Sequence, residues 1–138
     1  MSSPEKLQEV YDLCIRYLRE AEELLNEGDS VQASEKLYKV VEECVKALAE
    51  HHSLPEHEES VKKGRWSVPR LDSAARRLAL IYGDDVYNAW SIAYERLHIR
   101  GFHERELTPS QVKLELPRIE ILLAILREEL RKFSKQQL

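Results

Sequence analysis

Between Glu95 and Glu104 the chain reads Glu95-Arg96-Leu97-His98-Ile99-Arg100-Gly101-Phe102-His103-Glu104, and nowhere else do groups able to move a proton and hold a phosphate crowd so closely. Two of the five histidines and two arginines fall within positions 96–103. Cleaving RNA without a metal requires one group to take the proton from the ribose 2′-hydroxyl and another to stabilise charge on the phosphoryl oxygens. Histidine exchanges a proton near neutral pH and suits the first task; the arginine fork suits the second. Arg96 and His103 are the candidate catalytic pair, and His98, Arg100, Phe102 and Glu104 the candidate binding residues.

A helix must position them. Val86, Trp90, Ala93 and Leu97 recur at helical spacing and predict a helix over 85–100, opened by Asp84 and Asp85, whose charge suits a helix N-terminus. At about 100° per residue, Arg96 and Arg100 lie on one flank of that stripe. His103 returns close to the direction of Arg96, provided the helix survives past Gly101. His98 falls on the opposite flank beside Tyr94, a place for a structural hydrogen bond.

The remaining elements are helices as well. Leu7, Tyr11, Cys14, Leu18, Ala21 and Leu25 make one stripe over 4–26, with Pro4 in the first turn and Gly28 as the stop. Asp29 and Gln32 open a second helix over 30–51, and the tight Glu-Gly-Asp link makes the two a hairpin. If the turn is centred near 28–30, Leu25 faces Ala33, Ala21 faces Leu37, Leu18 faces Val40 and Cys14 faces Cys44, every pair apolar or small. In a cytosolic chain the two cysteines are expected as buried free thiols. A third helix spans 68–82 and ends at Gly83.

Thr108-Pro109-Ser110-Gln111 combines a capping threonine, a first-turn proline and a glutamine at the third position, and starts a helix over 109–134. Val112, Leu116, Ile119, Leu123, Leu126, Leu130 and Phe133 follow as a four-three seam, which Pro117 should kink or split. That seam and the fourth helix offer more apolar surface than a small bundle needs, so a two-fold homodimer is expected. With no strand signal, the fold class is all-α: an antiparallel up-and-down bundle of about five helices in a single domain, 1–138.

HHSLPEHEESVKKGRW, with Pro55, Gly64 and no usable period, reads as a mobile loop over about 52–66. His51, His52 and His57 match no metal-ligand spacing, and neither a metal nor a cofactor is expected. Residues 1–60 hold 6 Lys/Arg against 15 Asp/Glu and residues 61–138 hold 15 against 10, within a net charge of −4. The later half can attract phosphate, which permits RNA or a nucleotide as ligand. The polar start MSSPEKLQEV and the lack of a long apolar run exclude a signal peptide and a membrane span, so the cytoplasm is expected.

GDSVQASEKLYKVVEECVKALAEH resembles the second-helix signature of the HEPN superfamily. More narrowly, Gly28-Asp29, Gln32-Ala33, Glu35-Lys36 and Lys46-Ala47-Leu48-Ala49 resemble the archaeal PaREP family of that superfamily. Leu97-His98, Phe102 and Glu104 resemble its Leu-His followed by an aromatic-acidic element. The resemblance implies a HEPN-like helical bundle, often dimeric. It also implies one of two roles. Many HEPN proteins are ribonuclease toxins of toxin–antitoxin pairs that use an arginine followed by a histidine, and six residues separate Arg96 from His103 here. Others are noncatalytic companions of minimal nucleotidyltransferases, or binding modules.

Overall fold

A computed structural model describes the backbone of residues 3–136 and the side chains of 3–134. Helices α1 (Pro4–Asn26) and α2 (Ser30–His51) form the hairpin. The Ser3 side chain accepts from the Lys6 N–H to start α1, and the Asp29 carboxylate accepts from the Gln32 N–H at 3.0 Å to start α2. Gly28, at φ 87°, supplies the left-handed turn between them. The facing register is as the residue pairs require. Cys14 and Cys44 are both buried free thiols with their sulfurs 3.9 Å apart. Cross-helix ion pairs from Lys36 to Glu20 and from Lys6 to Glu50 tie the hairpin along its length.

Helix α2 is the centre of the molecule. It places twelve residues in the core, from Ala33 to His51, on more than one face. A helix apolar over most of its girth must be enclosed. On one side lies α1; on another lies α5 (Asp84–Ile92), which continues without a break as a π-helical segment, Ala93–His103. That strand of contacts runs antiparallel to α2: Trp90 meets Tyr38, His98 meets Glu35, and Gly101 meets Ser34. Helices α4 (Val68–Tyr82) and α7 (Leu116–Gln136) complete the enclosure, with Leu78, Ile119, Leu122 and Leu126 buried.

Three expectations need correction. The segment expected as a mobile loop contains α3 (Pro55–Lys63). It starts on a first-turn proline, carries Glu56 and Glu58 at its positive end and Lys62 and Lys63 at its negative end, and stops at left-handed Gly64. It has almost no apolar face. Its anchor is Glu56, 6% exposed, which accepts from Ser73 Oγ at 2.7 Å and Arg77 Nε at 2.9 Å on α4. Secondly, the helix expected to end near residue 100 runs to His103, with Gly101 inside it. Thirdly, the count of about five is exceeded, because α6 (Pro109–Lys113) is also a separate piece, split from α7 ahead of Pro117 as the proline demands. The Thr108–Gln111 capping box is present. Among the described residues there is no strand, and no helix is long and apolar enough to cross a membrane.

Helices α4 and α5 are joined through Asp72. Its carboxylate accepts from Arg76 Nε, Tyr87 Oη and Trp90 Nε1, at 3.0, 2.9 and 3.0 Å. Partial burial pushes its carboxyl up, but the hydrogen bonds from Arg76, Tyr87 and Trp90 outweigh that and hold it below its ordinary 3.8. A folded value below the unfolded one means that ionised Asp72 stabilises the fold above the ordinary carboxylate range, and that this is lost as pH falls through the lower folded value. Asp72→Asn should therefore lower the denaturation midpoint at pH 7 and lose less than the parent between pH 5 and pH 3, roughly the range of carboxylate titration. Urea unfolding followed by circular dichroism at the two pH values measures this; equal acid sensitivity would remove Asp72 from the account.

Candidate functional site

Two features make the π segment. The backbone bonds run from residue i to i+5, which widens the turn so that residues four and five apart both stand near one another and residues seven apart no longer share a direction. Gly101 is buried inside it, and a Cβ there would lie 2.3 Å from Ser34 Oγ and 2.7 Å from Ser34 Cβ. No side chain fits, so the segment lies directly on the small-residue step of α2. Ser34 spends its hydroxyl on the Ser30 carbonyl, and Ser30 donates to the Leu107 carbonyl at 2.7 Å, fastening the chain just beyond the segment. Two residues past the end of the segment Arg105 is left-handed, φ 57°, an uncommon conformation for a residue with a side chain.

The widened turn decides which candidates meet. His103 approaches His98, not Arg96: the two Nε2 atoms are 3.3 Å apart. His98 Nδ1 lies 3.3 Å from Glu35 Oε1 on α2. With Glu35 ionised, the carboxylate accepts from Nδ1–H of His98, whose Nε2 then accepts from Nε2–H of His103. That assignment leaves His103 Nδ1 with a lone pair to take up a proton. His103 is exposed while His98 is half-buried, so the chain of hydrogen bonds leads from the protein surface inward.

Arg96 is committed elsewhere. Its Nε faces Glu115 Oε1 at 3.4 Å without the alignment of a hydrogen bond, and Glu115, 6% exposed, is also paired with Arg118. The expected common flank for Arg96 and His103 rested on an α-helical period that the π ladder does not keep. His98 stands beside Tyr94 as expected, in a stack of nearly parallel rings at steps of four: Trp90–Tyr94 at 5.7 Å, Tyr94–His98 at 5.7 Å and His98–Phe102 at 6.3 Å. Tyr38 of α2 closes the stack with its ring 4.3 Å from that of His98. Burial pushes the Tyr38 hydroxyl well above its ordinary value, so it stays protonated. Arg100 and Glu104 are exposed and Phe102 is half-buried at the rim.

A helical chain of this topology with a Glu-His-His line on α2 and the π segment can be set beside known proteins. The model of the archaeal PaREP1/PaREP8 family matches residues 9–123. This chain belongs to that family. A Sulfolobus solfataricus protein of known crystal structure is 33% identical to this PaREP chain, with a TM-score of 0.76 over 94% of this chain and 98% of that one. The same target solved in solution, the Orf c02003 protein, is 34% identical, with a TM-score of 0.73 over 85% and 90% of the two chains. No curated protein matches this chain.

Reading residues one helix at a time missed Glu35 and Tyr38, which reach the site from 63 and 60 positions away. A signal for Glu35 was present, since it stands in the Glu35-Lys36 step that carries the family likeness. The α2–π contact is the tightest requirement of the site. Gly101→Ala should cost about 1–3 kcal/mol, as an overpacked core position does, and Ser34→Gly in the same chain should recover part of it. Urea denaturation of the single and double variants measures the effect; an unchanged single variant would show that the segment does not need this approach.

Proposed function

We propose that this PaREP protein is a HEPN-like helical module that binds RNA or nucleotides on the exposed face of the π segment, with metal-independent endoribonuclease activity as the sharpest form of that reading. The observation that carries it is the line from Glu35 through His98 to His103, which ends at the surface in an imidazole whose tautomer is set from behind. His103 is the proton acceptor for a ribose 2′-hydroxyl, and His98 positions it. Arg100 is an exposed cation three positions from His103, and the Phe102 ring offers a base a stacking surface. Arg96 enters only through the Nη atoms beyond its contact with Glu115, so its proposed part in charge stabilisation is the weaker half of the pair. Basic residues over 61–138 favour an approaching phosphate backbone.

A second reading has its own observation. Leu80 is 89% exposed and the adjacent Ile81 49%, at the end of α4. A noncatalytic protein that docks a partner, such as a minimal nucleotidyltransferase, would use such a patch.

Purified protein should cut single-stranded RNA in the presence of chelator and leave 2′,3′-cyclic phosphate ends. His103→Ala should lower the rate by a factor on the order of 10²–10⁴ by removing the base. Glu35→Gln should lower it less and displace its pH profile, and Arg96→Ala should act mainly on stability. RNA that is neither bound nor cut, or cleavage undiminished in His103→Ala, would leave the docking reading in its place.

The same module is proposed to pair as a two-fold homodimer in the cytoplasm. In the seam of the last helix Val112, Ile119, Leu123 and Leu126 are buried and Leu116, Leu130 and Phe133 half-buried, and Leu114 at 68% and Ile121 at 37% exposure extend the apolar surface available for pairing. Sedimentation velocity at high micromolar concentration should show a dimer that Ile121→Glu returns to a monomer. A monomer throughout would refute pairing.

A further inference from the structure

At the opposite end of α2 a second group of titratable side chains meets, built from α2, α4 and α7. His51 Nε2 lies 3.0 Å from Glu129 Oε2. His52 Nε2 lies 2.6 Å from Tyr82 Oη, and that hydroxyl donates to Glu129 Oε1 at 3.0 Å. Lys132 Nζ donates to the same oxygen at 3.0 Å. One ligand atom from each of His51, His52 and Glu129 can be chosen so that all lie within 4.8 Å of one another. His51 and Glu129 are 8% and 5% exposed, whereas Lys132 has 55% of its side chain in solvent.

We propose that His51, His52 and Glu129 form a binding site for a single divalent transition-metal ion of the zinc class. Two imidazole nitrogens and a carboxylate are the donor set of a three-ligand zinc site with a fourth position open to water. Calcium and magnesium prefer oxygen donors and do not suit it. In a tetrahedron with bonds of about 2.0–2.1 Å, ligand atoms stand roughly 3.3–3.4 Å apart, close to the His51–Glu129 separation already present. His52 reaches the same point by releasing the Tyr82 hydroxyl. Tyr82 keeps its bond to Glu129 and becomes the outer partner that orients the carboxylate.

The surrounding field favours a cation. Helix α2 ends at His51 and α4 ends at Tyr82, so the negative ends of two helices converge on the cluster. The side chain that now neutralises Glu129 is an exposed lysine, free to swing into water when a metal takes its place. Because the Tyr82 hydroxyl spends its proton on Glu129, His52 Nε2 is the donor to Tyr82 Oη, and a metal at this point would take the place of that proton.

Sequence spacing concealed the set because its carboxylate stands 78 positions from His51. His57, the other histidine of that stretch, is on α3 and is not in the cluster. Sixteen residues of α2 separate His51 from Glu35, about 24 Å at the helical rise, so this site is distinct from the histidine pair of the π segment.

Chelator-treated protein titrated with ZnCl2, and with CoCl2 as a spectroscopic probe, tests the proposal. One equivalent should bind, Co2+ should develop the visible d–d bands of a tetrahedral nitrogen and oxygen site, and the thermal midpoint should rise with zinc. Glu129→Gln and His52→Ala should each weaken binding roughly tenfold or more, while His103→Ala leaves it unchanged. His52 is half-buried at the helix cap, so its variant decides the matter if Glu129→Gln fails to fold by circular dichroism. No binding at metal well above protein concentration overturns the site, as does binding lost in His103→Ala but kept in His52→Ala. Because RNA cleavage is read in chelator, its failure and the failure of this site are separate results.

Discussion

The approach of Gly101 to Ser34 is the contact on which the arrangement of this PaREP protein turns. A glycine buried in a helix forgoes helix propensity, and here it does so where a methyl group would strike a serine on the neighbouring helix. The close seating brings the π segment down onto α2, and Trp90, Tyr94 and His98 of the aromatic stack then have Tyr38 within reach. Without it, His98 would have neither the Tyr38 face to pack on nor Glu35 to hold its Nδ1. The candidate site is thus a consequence of backbone proximity as much as of side-chain chemistry.

Elsewhere the helices are joined by acids set into or beside the core. Glu56 fixes α3 to α4, Asp72 fixes α4 to α5, Glu115 fixes the α6–α7 turn to the π segment through Arg96, and Glu129 fixes α7 to the ends of α2 and α4. Each accepts from, or pairs with, groups on another element, which an apolar residue of similar size could not do. Such joints specify orientation, because a carboxylate has few lone-pair directions and a lost partner leaves it unpaired in a poorly solvated place.

What could be read from the chain follows from the same division. The long helices, their caps and the level of Cys14 against Cys44 depend on spacing of three and four and on local hydrogen bonds, both written in consecutive residues. Helix α3 was illegible because a single buried carboxylate, not an apolar stripe, holds it in place. The π ladder was illegible because the same residues at positions 93–103 satisfy a period of four or of five, and only the tertiary contact at Gly101 selects between them. His103 and His98 could be named as chemistry-bearing residues, but their pairing, and the service of Glu35 behind them, needed the fold.

The π ladder also makes the histidine pair mechanically conditional. In an ordinary α-helix, residues five apart point about 140° away from each other, so tightening the ladder by one residue would swing His103 off His98 while leaving the segment helical. The proton line from Glu35 could then be opened or closed by a register slip, with no helix unfolded and no covalent change. Gly101, locked against Ser34, is the pawl that holds the register in which the line is complete.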